Sequence, residues 1–125
     1  MKKYLGAGFL IFSIILLSGC NHKPANDSEV AKDDAPIIYF YGTECPHCQN
    51  VKKYFEENKT RKKVTFSERE VYHNTANANL MFEKAAACGI TDKSDLGVPF
   101  LWAEGKCLFG EKDIVGFFNG KINEQ

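Results

Sequence analysis

The chain carries no surplus of charge of either sign: 16 Lys and Arg stand against 16 Asp and Glu in 125 residues. A polyanion-binding surface needs a basic excess, so nucleic acid is excluded as a partner. Length leaves no room for a second domain of ordinary size. Beyond residue 20 no apolar run approaches the ~20 residues that a spanning helix needs. A second C-x-x-C is also missing, and with it the two spaced ligand pairs common in structural zinc sites. Apolar residues are not scarce: a 44% hydrophobic fraction and ten Phe are enough to fill one small interior, which excludes wholesale disorder.

What is present begins with an export signal. "MKKYLGAGFLIFSIILLSGC" opens on Lys2 and Lys3, runs apolar from about Tyr4 to Leu17, and ends in small residues before Cys20. Leu17-Ser18-Gly19-Cys20 resembles a bacterial lipobox. The resemblance implies removal of residues 1–19 and lipid attachment to Cys20, making the protein a cell-membrane lipoprotein on the periplasmic or outer face. The alternative is an uncleaved anchor, and either places the domain outside the cytoplasm. Without its leader the chain has 14 basic and 16 acidic residues, two negative charges net. Residues 20–35 hold Cys20, a linker His22 and little to bury, so they read as a flexible tether averaging about 20 Å end to end. The domain is expected over 36–120, followed by a short tail at 121–125.

Within that domain, Pro36 to Gly42 is a near-continuous apolar run, as in a strand covered on both faces. Cys48, Val51, Tyr54 and Phe55 then recur at helical spacing, with Lys52, Lys53, Glu56 and Glu57 opposite, giving an amphipathic helix over about Pro46 to Asn58. Pro46 suits its first turn. A second strand is expected over Lys63 to Tyr72, where the alternation changes phase after Phe66 and signals a bulge or early end. A helix over 77–89 follows, with Leu80, Met81, Ala85 and Cys88 inward and Gly89 as its stop. Val98 to Gly110 reads as a β-hairpin turning at Gly105, and 111–120 as a closing helix. The order is β-α-β-α-β-β-α.

A first strand leading into C-x-x-C at a helix N-terminus, with Val98-Pro99 opening the third strand, resembles the minimal thioredoxin fold of glutaredoxins over about residues 36–120. That implies an α/β domain with a mixed four-stranded sheet and helices on both faces. Cys45-Pro46-His47-Cys48 is similar to the active-site sequence of periplasmic disulfide oxidases of the DsbA type. The resemblance implies thiol–disulfide oxidoreductase activity, a cis peptide before Pro99, and a substrate-contacting backbone at Val98. Glutaredoxins typically carry Thr-Val-Pro and a Gly-Gly followed by an acidic residue. Here Gly97 replaces the Thr and Phe109-Gly110-Glu111 replaces the glycine pair, although Asp113 lies near the acidic position. Those departures point away from glutathione and toward protein thiols and disulfides as substrates.

The residues carry the same chemistry on their own. A thiolate is the attacking species in disulfide exchange, and a helix N-terminus favours an anion. Cys45 is therefore expected to attack and Cys48, one turn further in and more buried, to resolve. His47 adds stabilisation if charged, which leans the pair toward an oxidant or isomerase, while a carboxylate at Glu44 opposes it. No bound cofactor or metal is needed, and the partners expected are exported protein thiols or disulfides, an unidentified redox partner and the membrane; a monomer is expected. Cys88 and Cys107 are either a second, structural disulfide or two small buried hydrophobes, because four cysteines allow three pairings. His73 reads as a solvated loop residue and Trp102 as part of the hairpin. The alternatives are a reductase for particular exported thiols, a copper- or zinc-binding module, and a binding domain in which the C-x-x-C is only a staple.

Overall fold

A computed structural model describes residues 30–125. The leader, Cys20 and His22 lie outside the described residues. Among the described residues, no helix is long and apolar enough to cross a membrane. The elements are β1 (Ile37–Tyr41), α1 (Pro46–Glu57), a short α2 (Thr60–Lys63), β2 (Ser67–Glu70), α3 (Thr75–Ala86), a 3-10 turn (Lys93–Asp95), β3 (Phe100–Ala103), β4 (Lys106–Phe109) and α4 (Gly110–Asn123). The sheet order is β2-β1-β3-β4, with β1 parallel to β2 and antiparallel to β3, and β3 antiparallel to β4. This strand order and these directions make the fold thioredoxin-like.

The apolar run of β1 has its explanation in the layers. Side chains alternate across a strand, so Ile37 and Tyr39 face a core built with Val51 and Phe55 of α1 and Ile114 and Phe118 of α4. Ile38 and Phe40 face a second core with Leu80, Met81 and Ala85 of α3. A strand buried on both sides has no polar positions to spare. Phe118 packs edge-on against Phe55 with centroids 4.8 Å apart, and lies 4.7 Å from Phe66, fastening α4 beneath the sheet.

Four expectations need correction. The second strand is only Ser67–Glu70, preceded by a helical turn, and of the two readings of the phase change it shows the early end and no bulge. Val64 and Phe66 serve the α1/α4 core while Val71 serves the α3 core, so the hydrophobic positions simply change faces. As an edge strand it carries charge on both faces, Glu68 toward Arg61 and Arg69 toward Asp33. Helix α3 starts earlier, because the Asn74 side chain caps it by accepting the Asn77 N–H at 3.0 Å, and it ends before Cys88, which is exposed rather than inward. Helix α4 continues through Gly120 to Asn123 and absorbs most of the expected tail.

The last correction concerns residues 30–35, which pack as a strap instead of hanging free. Ala31 donates its N–H to the Ala76 carbonyl at 3.0 Å. Asp33, with its side chain 6% exposed, accepts from Arg69 Nε at 2.7 Å, Ser67 Oγ at 3.2 Å and the Ala35 N–H at 3.0 Å. Burial alone would push its carboxyl up, but these hydrogen bonds outweigh that and hold it below the ordinary range. A run of polar residues looked unable to bury anything, yet one carboxylate with a partner across 36 residues suffices.

Candidate active site

Cys45 is the N-cap of α1, and Pro46 follows in the first turn. The Cys48 N–H donates to Cys45 Sγ at 3.2 Å, so one of the helix's unpaired donors points at that sulfur. The Cys45 N–H is tied back to the Gly42 carbonyl at 3.2 Å. A Cβ at Gly42 would overlap the Tyr72 ring, which packs over that glycine. A disulfide joins Cys45 and Cys48, whose Cα atoms are 5.2 Å apart. The two cysteines differ little in exposure, 5% against 3%. The expected contrast in burial is therefore absent, because Val98 covers Cys45: its carbonyl oxygen lies 3.7 Å from Cys45 Sγ. The asymmetry between the sulfurs comes from the helix end instead. The Val98–Pro99 peptide is cis.

His47 is exposed, and its Nδ1 lies 3.1 Å from Glu111 Oε2 in the first turn of α4. The same oxygen accepts from Asn50 Nδ2 at 2.9 Å. Those hydrogen bonds, Asn50's first, hold the Glu111 carboxyl below its ordinary range. On the other side of the cysteines Glu44 does not stand alone, for His73 Nε2 is 2.7 Å away. The hydrogen bond to Glu44 and its charge push His73 up from the ordinary histidine value. His73 is the solvated loop residue expected, and it also pairs with Glu44. Glu70, at the end of β2, accepts N–H groups from Thr43, Tyr72 and His73 and fastens the two loops together. Neither Glu70 nor Asn50 had a local signal in the sequence, and the pairs made by Glu44 and Glu111 span 29 and 64 residues.

Two openings flank the site, and one of them has Cys48 in its wall. A groove of about 800 Å³ runs along His47, Val98, Pro99, Phe109, Glu111 and Val115. A cleft of about 500 Å³ opens beside Cys48, with Tyr39, Gln49, Lys52, Arg61 and Glu68 in its walls. Among the described residues no group of three or more His, Cys, Asp or Glu side chains is placed to hold a metal ion. Cys88 and Cys107 are joined by a second disulfide with Cα atoms 6.3 Å apart, tying the turn after α3 to edge strand β4. Trp102 is half-buried on β3, opposite Cys107.

No protein-family model matches the chain. No curated protein matches it either. Among solved structures it is similar to a buckwheat glutaredoxin in complex with glutathione, at 22% identity over 72% of this chain and 74% of that one, with a TM-score of 0.47. A wheat glutaredoxin is similar at 24% identity over 71% and 75%, TM-score 0.48. The holo form of a glutaredoxin from Populus tremula x tremuloides follows at 21% identity over 72% and 80%, TM-score 0.46. The fold assignment rests on the strand order and directions given above.

Proposed function

We propose that this thioredoxin-fold chain is a thiol–disulfide oxidoreductase that works through Cys45 and Cys48, exported and held at a membrane by lipid on Cys20. The observation that carries the redox reading is the placement of Cys45 Sγ: it caps α1, accepts the Cys48 N–H, bonds to Cys48, and lies beside the Val98 carbonyl at the edge of an open groove. In the oxidising direction a client thiolate attacks Cys45 Sγ and the Cys45–Cys48 bond breaks, with Cys48 leaving as thiolate and taking up a proton. A second client thiolate then attacks the client sulfur of the mixed disulfide. The client leaves with a new disulfide and Cys45 leaves as thiolate, two electrons having passed to the pair. The reducing direction reverses every step. Whatever stabilises the Cys45 thiolate stabilises the reduced pair, so the α1 N-terminus and His47 favour an oxidant. Export and lipid attachment rest on the leader and on Leu17-Ser18-Gly19-Cys20.

Glutathione is the poorer substrate on this reading. Gly97 and Phe109 replace residues that the resembling family uses for it, and Glu111 adds a carboxylate on the groove wall. Protein segments are the better fit. The test is a Cys48→Ala chain expressed with its leader, in which Cys45 cannot be resolved. It should accumulate mixed disulfides with exported proteins, released by reductant and absent when Cys45 is also replaced by Ser. A Cys48→Ala chain that captures no client, together with wild-type protein inactive toward insulin and toward a scrambled disulfide protein, would end the redox reading.

A further inference from the structure

We infer that Glu111 is a positioning residue that restrains the oxidising strength of the Cys45–Cys48 pair by holding His47 through Nδ1 and cancelling its charge. The inference rests on the redox reading above and adds a residue from the far end of the chain to it. A carboxylate only accepts, so the 3.1 Å contact requires the His47 proton on Nδ1. Asn50, on the same side of α1, donates to that oxygen at 2.9 Å and keeps the carboxylate aimed at the imidazole. Glu111 also sits in the first turn of α4, where the helix end favours a negative charge. Glu111 and His47 both line the groove that Val98 borders, and Val98 in turn lies 3.7 Å from Cys45 Sγ. His47 lies in the first turn of α1, which Cys45 caps, so the carboxylate paired with it is part of the field at the reacting sulfur. Other charged groups around the site are Lys112 and Asp113 on α4, the Glu44–His73 pair with Glu70 across the cysteines, and Lys52, Arg61 and Glu68 at the cleft beside Cys48.

The sign of the effect follows from charge alone. With Glu111 present, a protonated His47 and its partner sum to zero, and a neutral His47 leaves one negative charge. With a neutral residue at 111 the same two states sum to plus one and zero. At a given protonation of His47 the substitution adds one positive unit near Cys45, which favours its thiolate and hence the reduced pair.

The test equilibrates full-length mature protein with a glutathione redox buffer at about pH 8, where a Cys45 thiol titrating clearly below the ~8.5 of a free cysteine is ionised in the reduced protein. Glu111→Gln should move the equilibrium constant about threefold to fivefold toward the reduced protein, roughly 15 to 20 mV at 29.6 mV per tenfold. Glu111→Lys should move it further in the same direction, and Glu111→Asp should stay within about twofold of wild type. The shift should shrink in 1 M salt, where the screening length is about 3 Å. A merely structural role gives no such ordered series. In a separate readout, proton–nitrogen spectra of the neutral imidazole should show the proton on Nδ1 in wild type and a shift toward Nε2 in Glu111→Ala. A flat or reversed charge series, with wild-type protein still exchanging normally, overturns this inference alone. Wild-type protein that does not exchange at all removes the redox reading and this inference with it.

Discussion

Replacing both Cys88 and Cys107 by Ser should cost the domain much of its stability while leaving Cys45 and Cys48 bonded. The bridge spans a sequence separation of 19 and encloses the 3-10 turn, the Val98–Pro99 segment and all of β3. Between α3 and β3 the backbone N–H groups of Ile90, Asp95 and Leu96 bond only to nearby carbonyls, so this segment is fastened chiefly by the bridge and by the partly buried Ile90, Leu96 and Val98. Closing a loop of that length removes about 11 cal/mol/K of denatured-state entropy, or about 3 kcal/mol at room temperature. Small domains have only about 5–15 kcal/mol in total. At 4–8 °C per kcal/mol, the expected fall in Tm is roughly 12 to 24 °C. Urea unfolding of both proteins, each with Cys45–Cys48 oxidised, supplies the measurement. Trp102 is the single tryptophan and stands opposite Cys107, so its fluorescence reports the transition from inside the affected hairpin. The urea dependence should steepen as well, because an uncrosslinked denatured chain exposes more surface. A loss below about 1 kcal/mol would show that the bridge does not restrain this segment.

His73 should titrate above the ordinary histidine value in a proton NMR pH series and return toward it in Glu44→Gln. Because its folded value is raised, any stability from this pair is present below the unfolded histidine value and lost as pH rises through the folded one; a normal midpoint in wild type would contradict the geometry. Asp33→Asn should cost about 1.5–3 kcal/mol near neutral pH, the range for hydrogen bonds to a charged group, by loosening the strap from Arg69 and Ser67. The folded value of Asp33 is lowered, so its contribution is present above the unfolded carboxylate value and lost as pH falls through the folded one. The substitution should therefore flatten the acid limb of the stability profile, and an unchanged limb would mean that the strap adds nothing.

The element order, the C-x-x-C at a helix start and the hairpin turn could all be read from local patterns. Glu104-Gly105, both at positive φ, make the two-residue turn that Gly105 announces, and the alternation across β1 follows from its unbroken apolar run. The failures share a cause, because each involves partners distant in the chain. Asp33 looked like linker until Arg69 supplied its counter-charge, and β2 looked bulged because its flanking hydrophobics belong to two different cores. Ala85, one turn earlier, predicts Cys88 on an apolar helix face, whereas the helix ends at Ala86 and Cys88, an exposed residue, bonds to Cys107. At the site itself, Glu44 and Glu111 are each paired with a histidine from another part of the fold. Counting charges along the sequence gives their number but not their pairing.

The reactivity of the Cys45 sulfur decides the account most directly. In fully reduced protein with Cys48 replaced by Ala, the rate of alkylation of Cys45 should follow a titration whose midpoint lies clearly below the ~8.5 of a free cysteine. The α1 N-terminus, which aims the Cys48 N–H at that sulfur, requires that direction. A midpoint at or above the free-cysteine value would mean that the helix end does not stabilise a thiolate there, and the proposed chemistry would lose its physical basis.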